Sequence, residues 1–295
     1  MSYLKNSYLK FLKQQEVSGS PFRDKLQQLR KYYIPICNNI FKKFNHNEKP
    51  LIIGLSGGQG SGKSTISKIF KIILQTKFKL NVVCFSIDDF YKTHNERKKM
   101  SRLVHPLFMV RGVPGTHDTK LLYKVIKNLK KNSYKTVKIP RFDKSIDNRS
   151  KNKFWQKVKK KPDIIIFEGW CVGAKPQLLK DLRKPMNILE KLEDVKLTWR
   201  KKVNNELYTN YKKIYDLIDK KIFLKVPNFR YVLKWRILQE RKLKIKSKKK
   251  TMNKKEIERF IMFYERLTKS MVKNYRNNDM VVFLDEKHKI KSVKY

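Results

Sequence analysis

The sequence predicts an α/β fold of three layers, a mainly parallel central sheet between two layers of helices, with a helical segment in front. Three observations predict it. Short apolar runs alternate with longer amphipathic ones, the pattern of strands joined by crossover helices. The stretch LIIGLSGGQGSGKSTISKIF, residues 51–70, passes from an apolar run through a glycine-rich turn to an amphipathic segment. Two further apolar runs, LNVVCFSIDDFY (80–91) and PDIIIFEGW (162–170), end in acidic residues. Parallel sheets bind ligands at the carboxyl ends of their strands. One topology would therefore bring the glycine turn, the Asp88–Asp89 pair and Glu168 to a single edge.

The elements follow in chain order. Residues 1–48 place apolar side chains three and four apart, which is helical spacing, with Ser20 as a cap and Pro21 in the first turn. Strand, turn and helix follow from Leu51, and 80–91 is the second strand. TKLLYKVIKNLKK (119–131) reads as an amphipathic helix and TVKIPRFD (136–143) as a short strand. Residues 162–170 form a third buried strand, and KIFLKV (221–226) and DMVVFLD (279–285) are later ones. Helices are expected at about 195–219, 229–245 and 253–275. KVKKKP (157–162) and KSKKK (246–250) read as solvated turns. Trp170, Trp199 and Trp235 read as core residues.

The chain has 295 residues, enough for one large domain with an addition. Its formal net charge is +47, from 72 Lys and Arg against 25 Asp and Glu. Such a charge suits a nucleic-acid binder. Here it is spread along the whole chain, and lysine far outnumbers arginine, the residue that reads phosphates and bases with a planar fork. Compositional bias is the better reading, and no specific nucleic-acid partner is expected. Cys37, Cys84 and Cys171 are far apart, with no metal-ligand or disulfide spacing. No apolar run approaches 18 residues and the first residues lack a signal-peptide core, so a cytoplasmic protein without membrane contact is expected.

The turn fits the phosphate-binding P-loop pattern: Gly57, four residues, then Gly62-Lys63-Ser64. Gly57, Gly58, Gln59, Gly60, Ser61 and Gly62 form a loop whose backbone N–H groups can turn in on phosphates, and the helix that follows adds its positive end. Lys63 reaches the β- and γ-phosphates, Ser64 ligates Mg²⁺, and Thr65 caps or packs nearby. The fold class is thus a P-loop NTPase α/β/α sandwich, divided into a helical segment (1–48) and a kinase domain (49–295). A GTPase would carry a guanine-reading Asn-Lys-x-Asp after a strand, and none is found. Motor ATPases carry Asp or Asp-Glu after the third strand. Here a lone Glu168 precedes Gly169, which suits a small-molecule kinase, with Glu168 holding a Mg²⁺-bound water.

Phosphoryl transfer also needs an acceptor oxygen in line, a group to take its proton, and cations. Asp88 is the base by choice over Asp89, because two adjacent residues point different ways and one is free to cap the next helix. RGVPGTHD (111–118) and PRFDKS (140–145) are polar clusters suited to an acceptor pocket. Arg111 can clamp an anion bidentately, while Thr116 or Asp118 can cap the next helix. Arg141, Asp143 and Lys144 belong to the second cluster. The acceptor is read as small and polar, with an anion accommodated. Arg236 and Arg241, on the helix at 229–245, read either as a lid over nucleotide phosphates or as part of an ordinary basic helix face.

Together, GLSGGQGSGKST, SIDDFY, RGVPGTHD, PRFDKS, FEGWCVG, YVLKWRILQE and FIMFYERLT, in this order, resemble the D-glycerate 3-kinases of plants and cyanobacteria and related bacterial and yeast kinases of the uridine kinase/phosphoribulokinase group. The resemblance spans roughly residues 50–285. It implies ATP, Mg²⁺ and transfer of the γ-phosphate to the 3-hydroxyl of D-glycerate. Lys63 and Ser64 match its phosphate loop, Asp88 its base and Glu168 its metal-side acid. Arg111, His117 and Arg141 become the contacts for the glycerate carboxylate and 2-hydroxyl, with Asp89, Tyr91 and Asp118 beside them. A second reading keeps the kinase and changes the acceptor to a nucleoside, pantothenate or another polyol; Phe90 and Tyr91 are available to stack on a base. A third is a non-catalytic P-loop module that binds RNA or protein. The oligomeric state is left open.

Overall fold

The computed structural model describes residues 2–16, 22–45, 49–246 and 252–295. Two helices near the start, α1 (Ser2–Gln15) and α2 (Ile34–Lys43), precede β1 (Leu51–Gly57) and α3 (Lys63–Phe78). Ser20, Pro21 and residues 247–250 lie outside the described residues. Then come β2 (Val82–Ser86), α4 (His94–Leu103), α5 (Thr119–Leu129), β3 (Val137–Ile139), β4 (Phe142–Asp143), β5 (Asn148–Arg149), β6 (Gln156–Val158) and β7 (Ile164–Gly169). The chain closes with α6 (Thr198–Glu206), β8 (Lys220–Lys225), α7 (Phe229–Lys246), α8 (Lys254–Lys273), β9 (Met280–Leu284) and β10 (Ile290–Lys294).

The main sheet has the order β10-β9-β8-β1-β7-β2, and every pairing is parallel except β9 with β10. Alternate residues of each strand face opposite ways, and both faces are apolar. Ile53, Leu55, Ile164 and Ile166 join an apolar cluster with Tyr8 and Leu12 of α1, Ile36 and Ile40 of α2, and Phe70 and Ile73 of α3. Ile52, Phe85, Ile165 and Phe167 face a second cluster with Leu122 and Ile126 of α5 and Phe263 and Leu267 of α8. This is why the central strands read as unbroken apolar runs.

Several expectations shift. The run at 80–91 is strand only to Ser86, and residues 87–90 form a 3-10 turn. The expected strand at 136–143 is two short pieces outside the main sheet, β3 paired with β6 and β4 with β5. The solvated turn expected at 157–162 starts later, because Val158 is buried in β6. The helix expected at 195–219 runs from Thr198 to Tyr215, with a π turn at Leu207–Tyr211 inside it. Helix α4 was not expected. It has no apolar stripe, but its start carries a signal: Thr93 and Glu96 form a capping box in the pattern T-x-x-E. Trp170, Trp199 and Trp235 are buried, at 3–5% exposure. Among the described residues no helix is long and apolar enough to cross a membrane.

Candidate active site

The register of the sheet builds the site. Leu55 of β1 pairs with Glu168 of β7, and Glu168 pairs with Ser86 of β2. The phosphate loop, Glu168 and the 3-10 turn carrying Asp88 and Asp89 therefore leave the sheet at one edge, as the acid-ended strands imply.

In the loop, the Lys63 ammonium donates to the carbonyls of Gly57 and Gly58 at 2.9 Å each. Gly60 has φ +75°, and a Cβ there would lie 2.8 Å from Trp235 Cβ and 2.9 Å from its carbonyl carbon, so only glycine lets α7 rest on the loop. Side-chain nitrogen and oxygen of Gln59 and the Ser61 hydroxyl are buried without a protein partner. A loop with a half-buried ammonium and orphaned donors suits a bound anion. Thr65 lies inside the first turn of α3, whose cap position is Gly62. Ser64 Oγ donates to Glu168 Oε1 at 2.7 Å. Burial pushes the Glu168 carboxyl up from the usual range against the pull of Lys63, and burial lowers Lys63 against the pull of Glu168 and Asp88.

The two aspartates divide as adjacent residues must. Asp89 completes a capping box with Ser86, its carboxylate accepting from the Ser86 N–H at 3.3 Å. Burial raises its pKa against the nearby Arg141, whose Nη1 is 3.8 Å away. Asp88 instead accepts from Tyr91 Oη at 2.9 Å and from Lys144 Nζ at 2.6 Å. Burial alone would raise Asp88, but the charge and hydrogen bond of Lys144 outweigh it and hold the carboxyl well below the ordinary range. Lys144 stands in the quoted PRFDKS cluster, yet nothing in its local pattern marks it as the partner of Asp88. The turn between β4 and β5 brings it there.

That hairpin is pinned from below. Arg97 of α4 is 1% exposed and donates to the carbonyls of Lys92 (3.2 Å), Met109 (2.7 Å) and Asp147 (2.9 Å), and to the Asp147 carboxylate at 2.7 Å. Asp147 also pairs with Arg111, whose guanidinium lies 5.6 Å over the Phe142 ring. Tyr264 Oη of α8 donates to the Arg111 carbonyl at 3.2 Å. Sequence reading did not single out Arg97, Asp147 or Tyr264.

The other expected contacts fall in different places. Arg141 is half-exposed beside Asp89 and Gln156. Asp118 caps α5, accepting from Leu121 N–H at 3.0 Å, and its other oxygen takes Arg149 at 3.1 Å, so both oxygens serve the framework. Thr116 ties its own loop, donating to the Val113 carbonyl. His117 is buried, stacked on Tyr91 with centroids 4.5 Å apart. Phe90 is fully buried against Phe85, and Tyr91 is covered by His117 and Phe142. The expectation that these two rings are available to stack on a base is thus corrected: both are spent on packing. On α7, Arg236 is mostly buried, paired with Glu240 at 2.5 Å and lying 5.5 Å over the Phe260 ring. Arg241 is exposed, about 140° further round the helix, so the two arginines do not act on one surface.

Burial lowers the His117 pKa to about 3, against the pull of Asp88. The unfolded chain binds this proton near pH 6.5 and the folded one does not, so this group removes stability as pH falls from about 6.5 towards 3. The difference in Tm between wild type and His117→Gln should shrink over that window in a thermal melt series. A constant difference would sink the assignment of a buried neutral ring.

Residues 52–229 match the phosphoribulokinase/uridine kinase family. The chain is 36% identical to the uncharacterized kinase mug58 of Schizosaccharomyces pombe over 225 residues, 73% of this chain and 79% of that one. It is 31% identical to the chloroplastic D-glycerate 3-kinase of Arabidopsis thaliana over 231 residues, 72% of this chain but 48% of the plant protein. In structure it resembles a D-glycerate 3-kinase of Cryptococcus neoformans var. grubii with a TM-score of 0.73 at 24% identity, over 91% of this chain and 98% of that one, a likeness of fold.

Proposed function

We propose that this chain, which belongs to the phosphoribulokinase/uridine kinase family, transfers the γ-phosphate of ATP to the 3-hydroxyl of D-glycerate. The observation that carries the reading is a group of three cations near the turn that carries Asp88, each paired with a different acid. Lys144 lies 2.6 Å from Asp88, Arg141 stands beside Asp89, and Arg111 is held next door by Asp147. Such a site suits an acceptor that carries its own carboxylate close to the hydroxyl to be phosphorylated. The 31% identity to the plant D-glycerate 3-kinase supports the same acceptor. The buried Phe90 and Tyr91 rings weigh against a nucleoside, which wants an open aromatic face.

The steps then follow from the residues. The phosphate loop and Lys63 hold the nucleotide phosphates. Ser64 and Glu168 would hold the Mg²⁺. Among the described residues there is no cluster of three or more His, Cys, Asp or Glu fit for a metal. Two protein oxygens, with water and phosphate supplying the rest, suit Mg²⁺. When bound, the ion would draw off charge that builds on the phosphate oxygens. Asp88 orients the acceptor hydroxyl and takes its proton. A carboxylate held so low in pKa is a weak base, but a loose transition state loses the proton late, so placement and ionisation matter more than strength. Lys144, Arg141 and Arg111 neutralise the acceptor and the moving charge.

The test is ADP release in a coupled assay with Mg-ATP and D-glycerate, L-glycerate, glycerol, uridine, pantothenate or no acceptor. Stimulation by D-glycerate well above all others is expected. Stimulation by uridine or pantothenate instead, or none by D-glycerate, would overturn the acceptor.

A further inference from the structure

Three buried groups outside the phosphate machinery form a chain. The Gly115 N–H donates to Tyr211 Oη at 3.0 Å, and Tyr211 Oη lies 2.6 Å from His117 Nδ1. Tyr211 is fully buried and His117 is 1% exposed. A phenol has one proton to give. With Gly115 already donating to the oxygen, that proton is satisfied only by bonding to Nδ1. The opposite arrangement, Nδ1–H donating to the phenol, would leave the Tyr211 proton buried without an acceptor, a costly state. Tyr211 therefore selects the tautomer of His117, with Nδ1 as acceptor and the proton on Nε2.

Nε2 is buried and has no protein partner. Tyr211 occupies the Nδ1 edge of the ring and Tyr91 one of its faces. Tyr91 in turn bonds Asp88, whose charge acts on the His117 ring. The unsatisfied N–H thus belongs to a ring built into the wall beside the acceptor carboxylate. Tyr211 ends a π turn at Leu207–Tyr211, where the helix is under-wound, a local irregularity that sets one side chain where a regular helix would not.

We infer that Tyr211 is a positioning residue that locks His117 as a neutral Nε2–H donor, and that this donor takes an oxygen of the acceptor, fixing which hydroxyl faces Asp88. The inference rests on the kinase reading above but not on glycerate itself. A neutral donor discriminates by direction, whereas the surrounding cations attract any anion, so the pair serves specificity rather than attraction.

The tautomer can be read without turnover. Long-range ¹H–¹⁵N correlation spectra of the full chain at neutral pH resolve both ring nitrogens of the five histidines, with His117 assigned by its loss in His117→Gln. A pyrrole-type Nε2 and a pyridine-type Nδ1 are expected, shifting to a tautomer mixture in Tyr211→Phe. In the same variant the acceptor KM should rise about five- to tenfold, the loss of one well-placed neutral hydrogen bond, with the ATP KM within about twofold. Should Tyr211→Phe melt early, His117→Gln against His117→Leu replaces it, and the glutamine, which keeps an N–H, should retain more acceptor affinity. A wild-type Nδ1–H tautomer, or an unchanged acceptor KM in Tyr211→Phe, would overturn the inference. If D-glycerate fails as acceptor while the expected tautomer is seen, the glycerate reading falls and this one stands.

Discussion

Asp88→Asn is expected to lower turnover by about 10²- to 10⁴-fold, the range for removing a positioned general base, while ATP affinity changes little. The asparagine keeps the size of the side chain and can still accept from Tyr91, so the 3-10 turn and its Ser86–Asp89 capping box should persist. What is lost is the charge that Lys144 faces at 2.6 Å. Lys144 then has no carboxylate to hold and the acceptor proton has no base. The matched control is Asp89→Asn, which loses the ionised half of a cap and should cost stability more than rate. Initial rates with saturating D-glycerate, and ATP binding by calorimetry, check both. Wild-type-like turnover in Asp88→Asn would remove Asp88 from the mechanism.

The second large effect is on stability. Glu190 is 1% exposed and takes Arg266 Nε and Nη2 on its two oxygens at 2.7 and 2.6 Å, with Arg200 at 3.5 Å. Arg266 also donates to the carbonyls of Asp181 and Lys184, and Arg200 holds Asp194 at 2.7 Å. Arg266→Met leaves Glu190 with only the Met186 N–H at 2.7 Å and Arg200 at 3.5 Å, and two carbonyls without these donors. A loss of about 3–5 kcal/mol is expected, the usual result of breaking a buried pair from one side. The double variant Arg266→Met with Glu190→Leu should recover part of it, because the stranded charge is gone. Urea unfolding with an unchanged m-value measures both. A loss under about 1 kcal/mol would show that the network is solvated enough to be replaced at little cost. The network also matters for the site: Tyr264, two residues before Arg266 on α8, bonds the Arg111 carbonyl.

Much of this was legible in the sequence. Alternating apolar and amphipathic runs encode period, and period decides strand or helix. The glycine pattern encodes a turn that only glycine can make, and it stands where a strand meets a helix. Glu168 in β7 and the acids just after β2 were therefore readable as neighbours at one sheet edge, and the pairing of Glu168 with Ser86, two residues before Asp88, agrees with that placement. The order of the seven motifs was enough to name the family.

What only the tertiary structure decided are contacts between residues far apart in the chain. Lys144 meets Asp88 across 56 positions, and Tyr211 meets His117 across 94. Arg97 looks like an ordinary charged residue on a polar helix, yet it is buried because three carbonyls and Asp147 converge on it. Tyr91 reads as an available ring, yet it is spent on His117. Local pattern records which conformation a segment prefers, since that depends on neighbours three or four residues away. Which side chain fills a given gap depends on how the hairpin, the π turn and α8 pack together, and no window of sequence holds that.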